Sequence, residues 1–152
     1  IAQLIMHLLI KVFVYGTLKR GEPNHHWLTM AENGFARFLG TAKTQEKFPL
    51  VIATRFNIPF LLDKKGVGHQ IYGEVYEVDD AMLTHLDVLE DYPTFYDREV
   101  QQVHCWLYLI RKFPEHLLQK QYLESYRNSA ELPYCERSQR DGNIKASEDM
   151  SY

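Results

Sequence analysis

The chain lacks most of the features by which a small protein advertises a metal, a disulfide scaffold or a membrane. Its 152 residues include only two cysteines, Cys105 and Cys135. They form no CxxC pair and no disulfide framework, which fits a reducing compartment and a cytoplasmic location. The seven histidines never pair at HxxxH or HxH spacing. His25 and His26 are adjacent, so on a helix they would diverge by about 100° and chelate poorly. No metal site is expected. Positive charge is not in excess: 17 Lys and Arg against 20 Asp and Glu give a net charge of -3. That argues against a nucleic-acid binder, which would depend on backbone electrostatics. No apolar run is long enough for a bilayer, where a helix needs about 20 residues. The strongest run, residues 1–10, is broken by Gln3 and His7, and Lys11 follows it. It has no basic n-region and no small-residue cleavage site, so it reads poorly as a signal peptide. It is expected to be an extension or an added strand, and no membrane partner is expected. No internal repeat is visible.

What is present suits a single domain. Apolar residues make up 45% and charged residues 24%, near globular averages, and a chain this long can bury about two-thirds of its unfolded surface. Aromatics reach 13%, ten of them tyrosines. The expected division is an apolar N-terminal extension over 1–10, a domain over 11–135 and a polar tail over 136–152. The tail has few apolar groups and is expected to fray or stay disordered.

Hydrophobic patterning and turn chemistry place the elements. Residues 11–15 read as a buried strand stopped by Gly16. Residues 24–31 suggest a short helix with Asn24 as a possible cap. Asn33-Gly34 marks a turn. Residues 35–43, 50–53 and 58–62 read as short strands, and 72–78 alternate apolar and polar as a half-buried strand should. Asp79 or Asp80 can cap a helix running to about Glu90, and Pro93 stops it. A further helix is expected after Pro114, with Leu118 and Tyr122 four apart on one side. Residues 98–112 contain no Gly, Pro, Asn or Asp. One strand of that length would run roughly 50 Å, too long for a domain whose radius of gyration is about 15 Å. The stretch is therefore two strands with an unmarked bend, or lacks a hairpin loop. Strict βαβα alternation is absent, so a doubly wound parallel sheet is not indicated. The expectation is an α+β fold on a mixed, possibly closed, sheet.

Two places could carry chemistry. Tyr15-Gly16-Thr17-Leu18-Lys19-Arg20-Gly21 follows the first strand and leads toward a helix. Free backbone N–H groups there can cradle an anion or a developing oxyanion, and Gly16 lets a ligand approach the backbone closely. An ordinary strand-to-loop turn, with Lys19 and Arg20 facing solvent, is the plainer reading. The second place is Glu90. At about 100° per residue, Met82, Leu83, Leu86 and Leu89 share one apolar face, and Glu90 falls about 50° from its centre. Asp87 and Asp91 lie about 110° and 150° away, toward water. Partial burial and the helix C-terminus both push the Glu90 carboxyl up toward the range of a general acid/base. The plainer reading is a boundary residue whose stem packs and whose head reaches solvent. Tyr92, Phe95 and Tyr96 follow closely and are expected in core and pocket wall.

The order of motifs resembles a known family. Val12-Phe-Val-Tyr-Gly-Thr-Leu-Lys-Arg-Gly21 with Pro23-Asn24-His25 resembles the γ-glutamylcyclotransferase superfamily. The likeness continues through Phe48-Pro-Leu-Val-Ile52, Asn57-Ile-Pro59, Gly73-Glu-Val-Tyr76, Leu86-Asp-Val-Leu-Glu90, Tyr96-Asp-Arg98, Phe113-Pro114 and Tyr134. It is nearest to the γ-glutamylamine cyclotransferase branch and the insect Troponin C-akin proteins, and spans roughly residues 11–140. The resemblance implies a small mixed β-barrel flanked by helices, with no metal or organic cofactor. It implies that the loop Tyr15, Gly16, Thr17 and Leu18 binds the glutamyl moiety through backbone groups, and that Glu90 is the catalytic acid/base. The implied substrate is a small γ-glutamyl amine, such as γ-glutamyl-ε-lysine, cleaved to 5-oxoproline and a free amine in a lyase or transferase reaction. The alternatives are action on γ-glutamyl-amino acids, or a non-catalytic interaction domain on the same fold. Two departures stand out: Val103-His104-Cys105 joins two strands where the family has a longer segment, and residues 1–10 lie outside the family pattern.

Overall fold

The computed structural model describes residues 9–90, 97–100, 105–142 and 144–151. Residues 1–8 of the N-terminal extension, Tyr92, Phe95 and Tyr96, and the junction at Val103 and His104 lie outside these residues, while Ile10, expected in the extension, already belongs to the first strand.

Strand β1 (Ile10–Val14) sits at the centre of a five-stranded sheet. Its side chains alternate between two cores. Val12 and Val14 join one cluster and Phe13 the other. A strand covered on both faces reads as a continuous apolar run, which is how residues 11–15 read. Strand β5 (His69–Val78) pairs antiparallel with β1, Ile10 opposite Val78 and Val14 opposite Glu74. On its other side β5 pairs with β2 (Ala36–Phe48), with register breaks between Phe38 and Gly40 and between Lys43 and Lys47. Strand β7 (Cys105–Leu109) runs parallel to β1 and antiparallel to β6 (Asp97–Val100). The order is β2-β5-β1-β7-β6, a mixed sheet.

A second ribbon, β3 (Leu50–Ala53) with β4 (Ile58–Leu61), pairs Leu50 with Leu61 and Ala53 with Ile58. It leans on the end of β7 through a parallel bridge between Leu62 and Ile110. The expected α+β class and mixed sheet hold. The expected closure does not: β2 and β6 are the two ends of the sheet and do not pair with each other among the described residues, so the barrel stays open.

Helix α1 (His26–Thr29) is a single turn. Asn24 is not its cap, because His25 takes that position without a side-chain bond. Helix α2 (Asp80–Leu89) is capped by Asp79, whose Oδ1 accepts the Met82 N–H at 2.8 Å. It buries Met82, Leu83 and Leu86 against the β1–β5 side of the sheet. After Pro114 the chain forms a 3₁₀ turn, Glu115–Gln119, and not the expected α-helix. It then crosses the ribbon, with Leu123 N–H on Leu50 O at 2.8 Å and Cys135 N–H on Phe56 O at 2.8 Å.

Residues 98–112 do contain two strands. They are antiparallel, Asp97 paired with Leu109 and Val100 with Trp106, and residues 101–104 lie outside the described residues.

The polar tail packs, against expectation. Ala146 is 8% exposed and belongs to the main core. Asp149 is held by Arg55, whose backbone N–H and Nε donate to its carboxylate at 2.9 and 3.0 Å. The Asp149 side chain is only 4% exposed, so its partners stand in for lost water. Asp149→Ala should lower stability by about 1–3 kcal/mol. The measurement is a urea midpoint that falls with an unchanged slope. An unchanged midpoint would mean the tail adds nothing.

Candidate active site

The site begins where β1 ends. Tyr15, Gly16, Thr17 and Leu18 are all buried. The loop is pinned by its own backbone: Lys19 N–H donates to Gly16 O at 3.1 Å, and Asn24 N–H donates to Thr17 O at 2.8 Å. These bonds occupy carbonyls. The N–H groups of Gly16, Thr17 and Leu18 donate to no partner among the described residues. Buried N–H groups without partners are uncommon, and here they adjoin a cleft.

The flanking basic residues fix the loop and do not simply face solvent. Lys19 Nζ donates to Ser125 Oγ at 3.1 Å and Tyr126 O at 2.6 Å. Burial lowers the Lys19 pKa, and nearby Arg127 adds to this while Glu22 and Glu74 oppose it. Arg20 donates from its backbone N–H and its Nε to the carboxylate of Glu74, at 2.8 and 3.2 Å, and its guanidinium lies 3.9 Å from the Phe38 ring centroid. Glu74 is 8% exposed and also accepts from Tyr76 Oη at 3.1 Å.

Glu90 follows the last turn of α2 as its C-cap. It is half-buried. Its backbone N–H donates to Leu86 O at 2.9 Å. Arg137 reaches over from the C-terminal segment and donates to Val88 O and Leu89 O at 3.1 and 2.9 Å. A cation on the last carbonyls of a helix offsets its dipole and here fixes the turn that carries Glu90. Asp87 does not simply face water: it accepts a bond from Tyr108 Oη at 2.7 Å, tying α2 to β7. Asp91 lies outside the described residues.

One cleft gathers these pieces. Tyr15, Gly16, Thr17, Leu18 and Glu90 all line it. The family resemblance implies that the loop and the acid serve one substrate, and both line this cleft. The sequence does not assign the remaining wall, which includes Asn24, Pro59, Tyr108, Tyr134 and Arg140. Asn24 Nδ2 donates to Thr17 Oγ1 at 3.0 Å and to Tyr134 Oη at 2.9 Å, so it bridges the loop to the C-terminal segment. Tyr134 belongs to the family likeness, but its placement depends on a contact more than a hundred residues away in the chain.

The tyrosines report the electrostatics. Burial, then the negative charge of Glu90, pushes the Tyr15 hydroxyl well above its usual pKa, with a backbone contact at Leu61 opposing. Its Oη donates to Tyr108 O at 2.8 Å. Tyr134 is raised chiefly by burial and further by Glu90, while Arg140, the Asn24 bond and Arg137 pull it down. Burial also raises Tyr76 and Tyr126. In the unfolded chain each phenol ionises near about pH 10, whereas the fold keeps it neutral to higher pH. Stability is thus fully present below about pH 10 and is lost as pH climbs through the folded values. Denaturant midpoints should stay level to about pH 9 and fall by about pH 11. A midpoint that holds at the higher pH would contradict the burial of these hydroxyls.

Fold and site together define a small α+β protein in which Glu90 and the loop after β1 line the same cleft. A family model described as gamma-glutamyl cyclotransferase, AIG2-like, matches residues 12–128, and the chain belongs to that family. It is 48% identical over 160 residues to the Troponin C-akin-1 protein of Drosophila melanogaster, covering 99% of this chain and 96% of that one. It is 44% identical over 127 residues to the gamma-glutamylaminecyclotransferase of Bos taurus, covering 78% of this chain and 76% of that one. The crystal structure of an AIG2-like protein from Mus musculus superposes with a TM-score of 0.84 at 41% identity, covering 88% of this chain and 100% of that one. Among the described residues no helix is long and apolar enough to cross a membrane.

Proposed function

We propose that this chain is a γ-glutamylamine cyclotransferase. The observation that carries the reading is one cleft lined by Glu90 and by Gly16, Thr17 and Leu18, whose N–H groups have no partner among the described residues. A γ-glutamyl amide already holds its nucleophile. Its α-amine attacks the γ-carbonyl and closes a five-membered ring. The C–N bond to the leaving amine then breaks, giving 5-oxoproline and a free amine. No water is consumed, and no enzymic nucleophile is required.

The protein has three tasks. It holds the substrate folded, with amine and carbonyl in contact, which replaces an entropic cost of ring closure. It stabilises the tetrahedral oxyanion, for which backbone N–H groups in a buried loop are suited. It takes a proton from the α-ammonium and returns one to the departing amine. A single carboxylate can do both in turn, and Glu90 is the one assigned here. Tyr15, Tyr108 and Tyr134 wall the cleft and limit water, which strengthens its hydrogen bonds.

Names of relatives support the substrate class: the Bos taurus relative is a gamma-glutamylaminecyclotransferase. The test is release of 5-oxoproline from a panel of γ-glutamyl amines and γ-glutamyl-α-amino acids. Turnover favouring γ-glutamyl-ε-lysine supports the reading. Turnover confined to the α-amino acid conjugates assigns the other specificity, and turnover of none makes this an interaction domain.

A further inference from the structure

Arg140 brings a positive charge into the same cleft as Glu90. Its guanidinium is held in place by Nε donating to Cys135 O at 3.0 Å and one terminal nitrogen donating to Tyr134 Oη at 2.9 Å. It lies 5.1 Å from the Phe56 ring centroid and 5.4 Å from that of Tyr134. Tyr134 Oη also accepts from Asn24, which holds Thr17. The orientation of Arg140 is therefore coupled to the loop at the end of β1.

Several other arginines pair with carboxylates. Arg20 pairs with Glu74, Arg37 with Glu77, Arg55 with Asp149 and Arg111 with Asp63. Arg140 is half-buried, yet has no carboxylate partner among the described residues. A guanidinium carries five N–H donors, and the two bonds to Cys135 and Tyr134 leave the rest of the fork unused. A partly desolvated cation lining a cleft, pre-oriented and without an ion-pair partner among the described residues, is a receptor for a carboxylate.

We infer that Arg140 reads a carboxylate of the substrate. The inference rests on the proposed reading of the cleft. Two carboxylates qualify. Every γ-glutamyl compound carries one on the glutamyl α-carbon, and an amino acid released as the leaving amine carries a second.

The test compares γ-glutamyl-ε-lysine, which has both groups, with γ-glutamyl-butylamine, which has only the first. Kinetics are measured for the wild-type chain, Arg140→Met and Arg140→Lys. Arg140→Met should raise KM about tenfold or more while kcat stays within about threefold, as loss of one charged hydrogen bond predicts. Arg140→Lys should recover part of the loss, since it keeps the charge without the fork. A loss on both substrates assigns the glutamyl carboxylate, and a loss on the lysine conjugate alone assigns the leaving amine. An Arg140→Met variant whose KM is unchanged on both substrates overturns the inference, including one that loses only kcat and thermal stability. If the wild-type chain releases no 5-oxoproline, the proposed function fails by itself. The two compounds then remain intact, and NMR titration gives their Kd directly. An Arg140-dependent Kd still upholds carboxylate recognition, and equal Kd values in wild type and Arg140→Met overturn it.

Discussion

Glu90→Gln is expected to lower the turnover of γ-glutamyl amines by about 10²-fold or more while the fold persists. Glutamine preserves the size and hydrogen-bonding reach of the side chain but cannot carry a proton between the α-ammonium and the leaving amine. The surroundings should tolerate the change. The α2 terminus is held by Arg137 on Val88 O and Leu89 O and by the Glu90 backbone N–H on Leu86 O, none of which needs the carboxylate. The apolar face of α2 is likewise untouched. KM should therefore move little, because binding is assigned to the loop after β1, and thermal unfolding should stay near wild type. The rate loss would be a transition-state loss, with kcat and kcat/KM falling together. Near-wild-type turnover by Glu90→Gln would show that another group moves the proton, and the assignment would be wrong.

The parts of this site legible in the sequence were those set by local periodicity. The helical spacing of Met82, Leu83 and Leu86 identified the buried face of α2, and its start was narrowed to Asp79 or Asp80, of which Asp79 is the cap. The position of Glu90 beside that face then followed. The end of β1 was legible because Gly16 interrupts an apolar run, and β3 was matched at both ends by its turn signals. What escaped was set by contacts distant in the chain. Strand β2 continues to Phe48 because it pairs with β5 across two register breaks, although its later residues are polar. Leu118 and Tyr122 sit at helical spacing, but this segment is governed by its path across the ribbon, and only a 3₁₀ turn forms. Composition made the tail look solvated. A few contacts decide otherwise, among them Ala146 in the core and Asp149 under Arg55. The same segment carries Arg140 into the cleft. Asn24 had the right chemistry for a helix cap and is used as a bridge between Thr17 and Tyr134; residue type alone does not distinguish those roles.

Gly16→Val is expected to reduce kcat/KM by about 10²-fold or more, with kcat and KM both impaired. The reason is a close approach: a Cβ built on Gly16 would stand 2.9 Å from Pro59 Cγ and 3.5 Å from Pro59 Cβ. Pro59 is buried in β4 opposite Ile52, so it has little room to retreat, and valine adds two methyl groups beyond that Cβ. The loop must move instead. A shift well under 1 Å is enough to spoil hydrogen bonds whose useful range is about 2.7–3.1 Å. The neighbouring N–H groups of Thr17 and Leu18 would be carried along, so binding and oxyanion stabilisation should fail together. Thr17→Ala separates backbone from side-chain roles. It leaves every loop N–H in place and removes the hydroxyl that accepts the Asn24 bond at 3.0 Å, a loss of about 1 kcal/mol. That predicts a reduction of several-fold, well short of the Gly16→Val loss. The pair of variants is read by steady-state kinetics beside thermal unfolding, so that misfolding is not mistaken for a catalytic loss. A Thr17→Ala chain that is folded and inactive would move the chemistry from the backbone to the Thr17 hydroxyl. A folded Gly16→Val chain with wild-type kinetics would remove this loop from the mechanism altogether.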